Sequence, residues 1–353
     1  MEIDLTAIAA NWRAYQALGP AEAGAAVKAD AYGCGAAAVA PALAAAGCRT
    51  YFVAALAEAT RLADTLGRDS ILYVLNGFDA GAGWPDDPRI RPVLNTLPEA
   101  EAWASRWGDR AAALQIETGM NRLGADAEAL AEALDAAALA PLRRGGALLM
   151  SHLAMAESPE AALTAAQKAA FDQALARLRP RLPHARASLA ASAATSLGPA
   201  FAYDLIRPGY GLYGGDLGPA PRPVIRVSAP LIRVWRVETG AASGYGGAWR
   251  AARPSVLATA PIGYADGLPR ALGGRGRARL RGRIIPIAGR VSMDLTVLDV
   301  TDLDPAPMPG ERAIFLDETL EIGAMAAEAD TIGYEILTRL DAARRLERRV
   351  NTF

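Results

Sequence analysis

The sequence predicts an α/β fold, a (β/α)₈ TIM-type barrel followed by a smaller, mainly-β domain. From about residue 20 to about 213, short apolar runs alternate with alanine-rich amphipathic segments, which is the pattern of repeated βα units. A glycine- and proline-rich stretch interrupts this alternation at 214–223, and β-branched runs predominate beyond it. We therefore expect one domain over 1–220 and a second over 221–353, although the first residues could pack on the second domain.

The predicted barrel strands are apolar runs near 22–29, 50–55, 70–76, 89–94, 111–117, 145–152, 186–191 and 202–207. Helices are predicted between them, for example at 36–46, 56–66 and 160–179. The first two are followed by glycine and the third by proline, which are common helix-ending residues. A barrel of this kind carries its active site at the carboxyl ends of the strands, so candidate residues are sought there.

The second domain is predicted from four β-rich runs, VIRVSAPLIRVWRV, PSVLATAPIGY, RIIPIAGRVSM and LTVLDV. One helix is predicted to return near 319–329. The tail, 335–349, is predicted as an arginine-rich, solvated helix. The 353 residues, 52% of them hydrophobic, are enough for one large and one smaller domain.

The composition favours a small-molecule partner over nucleic acid or a membrane. The net charge is -1, and charges of both signs are interspersed along the chain. No apolar run approaches the ~18 residues of a membrane span, and the amino terminus does not resemble a signal peptide. Two cysteines, Cys34 and Cys48, suit a reducing compartment, so a cytoplasmic protein is expected. We expect no bound metal ion.

Only Lys28 and Lys168 are lysines among the 37 basic residues, so few side chains can supply a nucleophilic amine. Lys28 ends the first apolar run and precedes a glycine-containing loop, which places it at the barrel mouth. Partial burial there would lower the pKa of its amine and favour Schiff-base formation. An ordinary surface lysine at a strand end is the alternative. Lys168 lies in the middle of a predicted helix and is expected on its solvated face.

Two small-residue segments could hold an anion at the barrel mouth. They are ASAATS at 191–196 and RPGYGLYGG at 207–215, which follow the last two predicted strands. Small residues let backbone amides approach a phosphate closely. Each segment alone could equally be an ordinary turn.

The string VKADAYG at 27–33 resembles the cofactor-attachment motif of alanine racemases. Further motifs of that family follow in order along nearly the whole chain: ETGMNRLG at 117–124, SHLA at 151–154, RPGYGLYG at 207–214, GYGGAW at 244–249, GYADGLPR at 263–270 and RVSMD at 290–294. The resemblance implies a pyridoxal 5′-phosphate enzyme of fold type III. It also implies that the cofactor forms a Schiff base with Lys28.

The resemblance implies roles for the residues around the cofactor. The Tyr32 hydroxyl would bind the phosphate, with Ser192 and the backbone amides of Gly209 and Tyr210 completing the phosphate site. His152 would line the pyridine ring and Arg207 would face its nitrogen. Arg122 would lie near the substrate carboxylate.

The implied activity is the interconversion of L-alanine and D-alanine, which supplies D-alanine for peptidoglycan. Lys28 and Tyr245 would be the two acid/base residues, one on each face of the substrate. Met293 and Asp294 match a substrate-binding segment that the partner subunit contributes. A homodimer with shared active sites is therefore expected.

The sequence departs from the family pattern at several positions. Gln115 replaces a lysine that can be carbamylated, and Glu117 replaces the usual aspartate. Cys34 replaces a histidine, Ala191 an asparagine and Leu268 an aromatic residue of the substrate entrance. The tail TRLDAARRLERRV also lacks the tyrosine that some members use on the phosphate.

Three alternatives remain open at the level of the sequence. A racemase for serine or for a broad range of amino acids would share these motifs. A basic amino-acid decarboxylase would share the architecture, but would have glutamate in place of Arg207. A non-catalytic pyridoxal phosphate-binding protein would be a lone barrel, which the second domain disfavours.

Overall fold

The structure is a computed structural model that describes residues 1–136, 138–158, 160–219, 221–340, 342 and 345–351. The N-terminal half is a barrel of parallel strands. The first of them is interrupted at Gly24 and consists of Glu22–Ala23 and Ala25–Ala26. The others are Thr50–Val53, Ile71–Val74, Ile90–Leu94, Ala112–Gln115, Ala147–Met150, Arg186–Ser188 and Leu205–Ile206. Each of the eight predicted runs contains one of them.

The last barrel strand closes the ring against the first. Leu205 pairs in parallel with Glu22, and Ile206 pairs with Ala23. On its other side, the Arg207 amide donates to the Ala190 carbonyl at 2.8 Å. The intervening strands pair with their sequence neighbours in parallel register. The predicted (β/α)₈ barrel is thus confirmed.

Helices surround the barrel at Leu5–Gln16, Ala36–Ala46, Leu56–Ala63, Leu97–Trp107, Ala127–Asp135 and Ala162–Leu178. Their buried faces are formed by residues such as Val39, Leu62, Trp103 and Phe171. The helix predicted at 56–66 ends three residues early, at Ala63. No helix of the described residues lies between the third and fourth strands, where Phe78 and Trp84 pack on Trp103 instead.

The C-terminal part is mainly β, as predicted. Its strands are Ile225–Pro230, Arg233–Val237, Ala242–Ser243, Trp249–Arg250, Ser255–Ala260, Arg277–Leu280, Arg283–Pro286, Thr296–Asp299, Arg312–Leu316 and Arg349–Asn351. The strand Glu2–Asp4 joins this sheet, antiparallel to Ile225–Pro230 and parallel to Arg349–Asn351. The first residues of the chain therefore pair with the second domain.

Two helices, Ile322–Glu328 and Gly333–Arg339, lie in the C-terminal part. The first agrees with the helix predicted near 319–329. The prediction of a solvated helix over 335–349 was wrong. Its helical portion ends at Arg339 and buries Ile336 and Leu337, and the chain becomes a strand at Arg349. Residues 341, 343 and 344 of that prediction lie outside the described residues.

Candidate active site

A cavity of about 1400 Å³ opens at the carboxyl ends of the barrel strands. Residues from distant parts of the sequence meet there because parallel strands end at the same face of a barrel. The predicted site residues that line it are Lys28, Tyr32, Arg122, His152, Ser192, Arg207, Gly209 and Tyr210. The structure therefore brings most of the predicted site together.

Lys28 and Tyr32 are the two ends of a left-handed turn, Lys28–Tyr32. Residues 29–32 have φ between 53° and 56° although none of them is glycine. Such residues cost roughly 1–2 kcal/mol each, so tertiary contacts must hold the turn. The predicted first strand extended to residue 29, but the observed strand ends at Ala26 because the chain enters this turn. Both end residues of the turn line the cavity.

The amine of Lys28 lies in a partly buried and mainly positive environment. Burial lowers its pKa, and the charge of Arg122 and that of Arg207 lower it further. The carboxylate of Glu58 acts in the opposite direction. A lowered pKa increases the fraction of uncharged, nucleophilic amine at neutral pH. Lys28 is therefore suited to react with a carbonyl group.

Arg207 is a buried cation beside the cavity, with 6% of its surface exposed. Its guanidinium donates to the Ser188 hydroxyl at 2.5 Å and to the Ser151 carbonyl at 2.6 Å. Burial lowers the pKa of Arg207 to about 10, so the side chain stays charged at neutral pH. No carboxylate of the described residues forms an ion pair with it. A buried positive charge that contacts neutral oxygens is stabilised when a bound ligand places a hydrogen-bond acceptor next to it.

His152 follows the sixth strand and lines the cavity close to the same cations. Burial lowers its pKa to about 3, with contributions from Arg207, Arg122 and Lys28. The imidazole is therefore neutral under physiological conditions. Buried Gln167 fixes the backbone of this segment, donating to the His152 carbonyl at 3.0 Å and accepting from the Ala154 amide at 2.8 Å.

Ser192 and Gly209 form a buried, amide-rich wall of the cavity. The Ser192 hydroxyl oxygen accepts from the Gly209 amide at 2.9 Å and from the Gly211 amide at 3.3 Å. A β-carbon at Gly209 would collide with the Tyr32 hydroxyl. Glycine thus allows a hydroxyl and backbone amides to converge on one small space, which suits a phosphate group.

Tyr334 is a cavity residue that the sequence analysis missed. The tail 338–350 contains no tyrosine, but the Tyr334 ring lies just before it, in the helix Gly333–Arg339. Tyr334 lines the cavity, and its ring centroid lies 6.3 Å from that of Tyr32. The tyrosine in TIGYEILTRL was the available signal.

Arg122 lies in an exposed loop that Glu117 organises. Burial alone would raise the pKa of Glu117, but the backbone amides of Asn121, Gly119, Met120 and Arg122 outweigh it and lower the pKa. Gln115 also lines the cavity. No hydrogen bond joins Gln115 to Arg122.

Tyr245, Met293 and Asp294 are not brought to the cavity within one chain. Tyr245 is 70% exposed and Met293 is 53% exposed, both in the C-terminal domain. Asp294 forms an ion pair with Arg345 at 2.6 Å. These three residues therefore face outward, away from the site that contains Lys28.

Leu268 does not line an entrance to the site. It is 1% exposed and belongs to the hydrophobic core, whereas Tyr264 of the same loop is 42% exposed. The question of how Leu268 affects the substrate entrance is therefore answered for a single chain, because this side chain points into the domain. Tyr264 is the exposed aromatic side chain of that loop.

None of the helices in the described part of the chain combines the length and apolarity needed to cross a membrane. The described residues also contain no group of three or more His, Cys, Asp or Glu side chains that could hold a metal ion.

Comparison with known proteins places the whole chain in one family. The family model for the alanine racemase N-terminal domain matches residues 3–216, and that for the C-terminal domain matches 224–350. The chain is 48% identical to an alanine racemase of Acidiphilium cryptum over 96% of both proteins. It is 47% identical to an alanine racemase of a Methylobacterium species, covering 99% of this chain and 96% of the relative.

Solved structures give the same result. An alanine racemase from Bartonella henselae with covalently bound pyridoxal phosphate superposes with a TM-score of 0.91 and 36% identity, covering 99% of this chain and 98% of the other. The biosynthetic alanine racemase from Pseudomonas aeruginosa gives a TM-score of 0.88 and 32% identity, with the same coverage. From its fold, its cavity and these relatives, the chain belongs to the alanine racemase family.

Proposed function

We propose that this chain is a pyridoxal phosphate-dependent racemase that interconverts L-alanine and D-alanine. The observation that carries the proposal is the cavity that joins the amine of Lys28 to the buried charge of Arg207. Its full-length relatives are named alanine racemases, which supports the same reaction. D-alanine for peptidoglycan would be its biosynthetic product.

The residues present fit pyridoxal phosphate. Lys28 would bind the aldehyde carbon, and the structure from Bartonella henselae holds this cofactor covalently. The phosphate would lie where Tyr32, Ser192 and the amides at Gly209 and Tyr210 converge. A β-carbon at Gly209 would fill that space, which supports the assignment.

When bound, the cofactor supplies the electron sink that makes the α-hydrogen of an amino acid acidic. Arg207 would face the nitrogen of the cofactor ring. Because a guanidinium with a pKa of about 10 stays protonated at neutral pH, Arg207 would not transfer its proton to that nitrogen. His152 would pack beside the ring as a neutral group. Arg122, at the rim, would bind the substrate carboxylate.

Racemisation needs a proton acceptor on one face of the substrate and a proton donor on the other. Lys28 Nζ would serve one face and Tyr245 Oη the other, with their roles reversed for the opposite enantiomer. Because Tyr245 is exposed and outside the cavity of its own chain, it would reach the site of a second copy. Met293 and Asp294 would accompany it as substrate-binding residues.

The same geometry supports a homodimer with shared active sites. Tyr245, Tyr264, Met293 and Leu295 are large apolar side chains of the C-terminal domain that are 40% or more exposed in one chain. Burying such residues against a second barrel would remove them from water. We also propose a cytoplasmic location, because Cys34 and Cys48 are buried free thiols.

Chiral chromatography after incubation with a panel of L-amino acids tests the reaction. We expect D-alanine as the main product when pyridoxal phosphate is present. Equal rates for many amino acids would indicate a broad-range racemase. Cofactor binding without any D-product would indicate a non-catalytic binding protein.

Borohydride reduction followed by peptide mapping tests the attachment site. The cofactor is expected on the peptide containing Lys28, with Lys168→Arg as the control because Lys168 pairs with Asp172 away from the cavity. An adduct on Lys168, or no adduct, would overturn the assignment of Lys28.

A further inference from the structure

Glu58 connects the loop after the second barrel strand to the turn that carries Lys28. One of its carboxylate oxygens, Oε1, accepts a hydrogen bond from the Ala29 amide at 2.7 Å. The other, Oε2, accepts from the amides of Ala54 at 2.7 Å and Ala55 at 3.2 Å. One half-buried side chain thus ties together the residue after Lys28 and the end of a neighbouring strand.

The contact with Ala29 lies at the start of the left-handed turn. The middle residue of the turn is bonded to the chain that follows the turn: the Asp30 carboxylate accepts from the Ala36 amide at 2.8 Å, and the Asp30 carbonyl accepts from the Gly35 amide at 2.8 Å. These bonds hold the exit of the turn, whereas Glu58 holds its entrance. Because four non-glycine residues in this conformation are intrinsically unfavourable, the direction of the Lys28 side chain depends on such contacts.

Glu58 also differs in charge from the other groups that act on the Lys28 amine. Arg122 and Arg207 are positive and lower the pKa of Lys28, while Glu58 raises it. His152 lies in the same cavity and is neutral above a pKa of about 3. Glu58 is therefore the carboxylate that offsets the two arginines.

We propose that Glu58 is a positioning residue for Lys28, which fixes the entrance of the left-handed turn and supplies negative charge to the surroundings of the amine. It need not touch the substrate or the cofactor to act. The relevance of this role to catalysis rests on the proposed function, but the geometry and charge can be measured without any turnover.

Glu99 provides a matched control in another barrel unit. Glu58 is the third residue of the helix Leu56–Ala63, and Glu99 is the third residue of the helix Leu97–Trp107. Both are half-buried, and the Glu99 carboxylate accepts from the Asn95 amide at 2.9 Å, much as Glu58 does from Ala54. Glu99 lies against Gly77 and not against the turn that carries Lys28. Glu99→Gln therefore disturbs a similar helix start without touching Lys28.

The first measurement is the titration of the Lys28 amine in the full-length protein freed of cofactor. Reductive methylation with ¹³C-formaldehyde labels Lys28, Lys168 and the amino terminus, so the NMR spectrum is simple enough to assign with Lys168→Arg. Glu58→Gln removes the negative charge and should shift the Lys28 titration to lower pH. Glu99→Gln should leave it at the parent position. An unshifted or raised titration in Glu58→Gln would overturn the proposal.

The second measurement separates the hydrogen bond from the charge and also serves if Glu58→Gln does not fold. Glu58→Asp keeps the charge but is one methylene too short to bond both Ala29 and Ala54. Hydrogen exchange of the peptide spanning 28–33 should become faster in Glu58→Asp than in the parent or in Glu99→Gln. Unchanged exchange would contradict the role of Glu58 in the turn. Because neither measurement uses alanine, an absence of racemisation would refute the proposed function without deciding this one.

Discussion

The ring of Tyr334 stacks on the ring of Tyr210, with 4.2 Å between their centroids and 15° between their planes. Tyr210 belongs to the segment after the last barrel strand, and Tyr334 belongs to the helix Gly333–Arg339. The backbone at Gly333 approaches the Tyr210 hydroxyl so closely that a β-carbon there would collide with it. This contact joins the predicted phosphate site to the C-terminal part of the chain.

Replacing Tyr334 by leucine should loosen this connection. Aromatic pairs contribute about 0.5–1.5 kcal/mol beyond their buried area, so the free energy of unfolding should fall by roughly that amount or more. Tyr334→Phe keeps the ring and should retain most of the stability. Urea unfolding of the parent and both variants measures the difference. Equal midpoints for the parent and Tyr334→Leu would show that the stacking contributes little.

The neutral state of His152 should make stability depend on pH. The pKa of an unfolded histidine is about 6.5, whereas the folded pKa of His152 is about 3. Between these values the unfolded chain binds a proton that the folded chain does not. The stability that this difference contributes is therefore fully present above the unfolded pKa and is lost as the pH falls towards 3.

The chain has two histidines, His152 and His184, so substituting each in turn separates the contribution of His152 from that of His184. Urea unfolding at pH 7.5 and pH 5 should show a smaller loss of stability for His152→Gln than for the parent or His184→Gln. The His152 ring proton should also keep one NMR shift from pH 8 to pH 5. A titration of that proton near neutral pH would contradict a neutral, buried imidazole.

Tyr245→Phe should abolish most racemisation while preserving the fold. The hydroxyl is removed, and the ring is 70% exposed in a single chain, so packing within the chain changes little. General acid/base groups typically contribute about 10²–10⁴-fold, and a loss of that size is expected in both directions. Initial rates from L-alanine and from D-alanine measure it. Turnover within a few-fold of the parent would exclude Tyr245 as a proton-transfer residue.

Mixing two impaired variants tests whether the active sites are shared between subunits. Lys28→Ala and Tyr245→Phe should each have lost most of the parent activity when assayed alone. After unfolding and refolding together, mixed dimers would contain one site with both Lys28 and Tyr245 intact. Random pairing should then restore about a quarter of the parent activity. No recovery, despite mixed dimers detected by mass spectrometry, would place both residues in the site of one chain.

Bicarbonate should not change the activity of the parent protein. Carbon dioxide adds to a free amine, and Gln115 presents an amide to the cavity where family members have lysine. Gln115→Lys is the matched variant and should gain a response to bicarbonate. Initial rates of the parent and of Gln115→Lys, each with and without added bicarbonate, make the comparison. A marked gain for the parent would refute the expectation.

The sequence by itself determined the barrel, the mainly-β domain and most of the cavity residues. The strand positions could be predicted because alternating apolar runs and helix-ending glycines are local signals. Lys28 could be identified because the chain has only two lysines and one of them ends a strand. The motifs in family order then pointed to Arg207, His152 and Ser192.

Only the tertiary structure decided the features that depend on distant partners. The tail was predicted as a helix from local composition, yet Arg349–Asn351 forms a strand because Glu2–Asp4 lies beside it. Likewise, local preference disfavours left-handed φ for residues 29–32, and contacts such as that of Glu58 with Ala29 make it possible. Strand pairing and the strained turn are both stabilised by residues that are distant in the sequence. A local sequence pattern therefore cannot predict them.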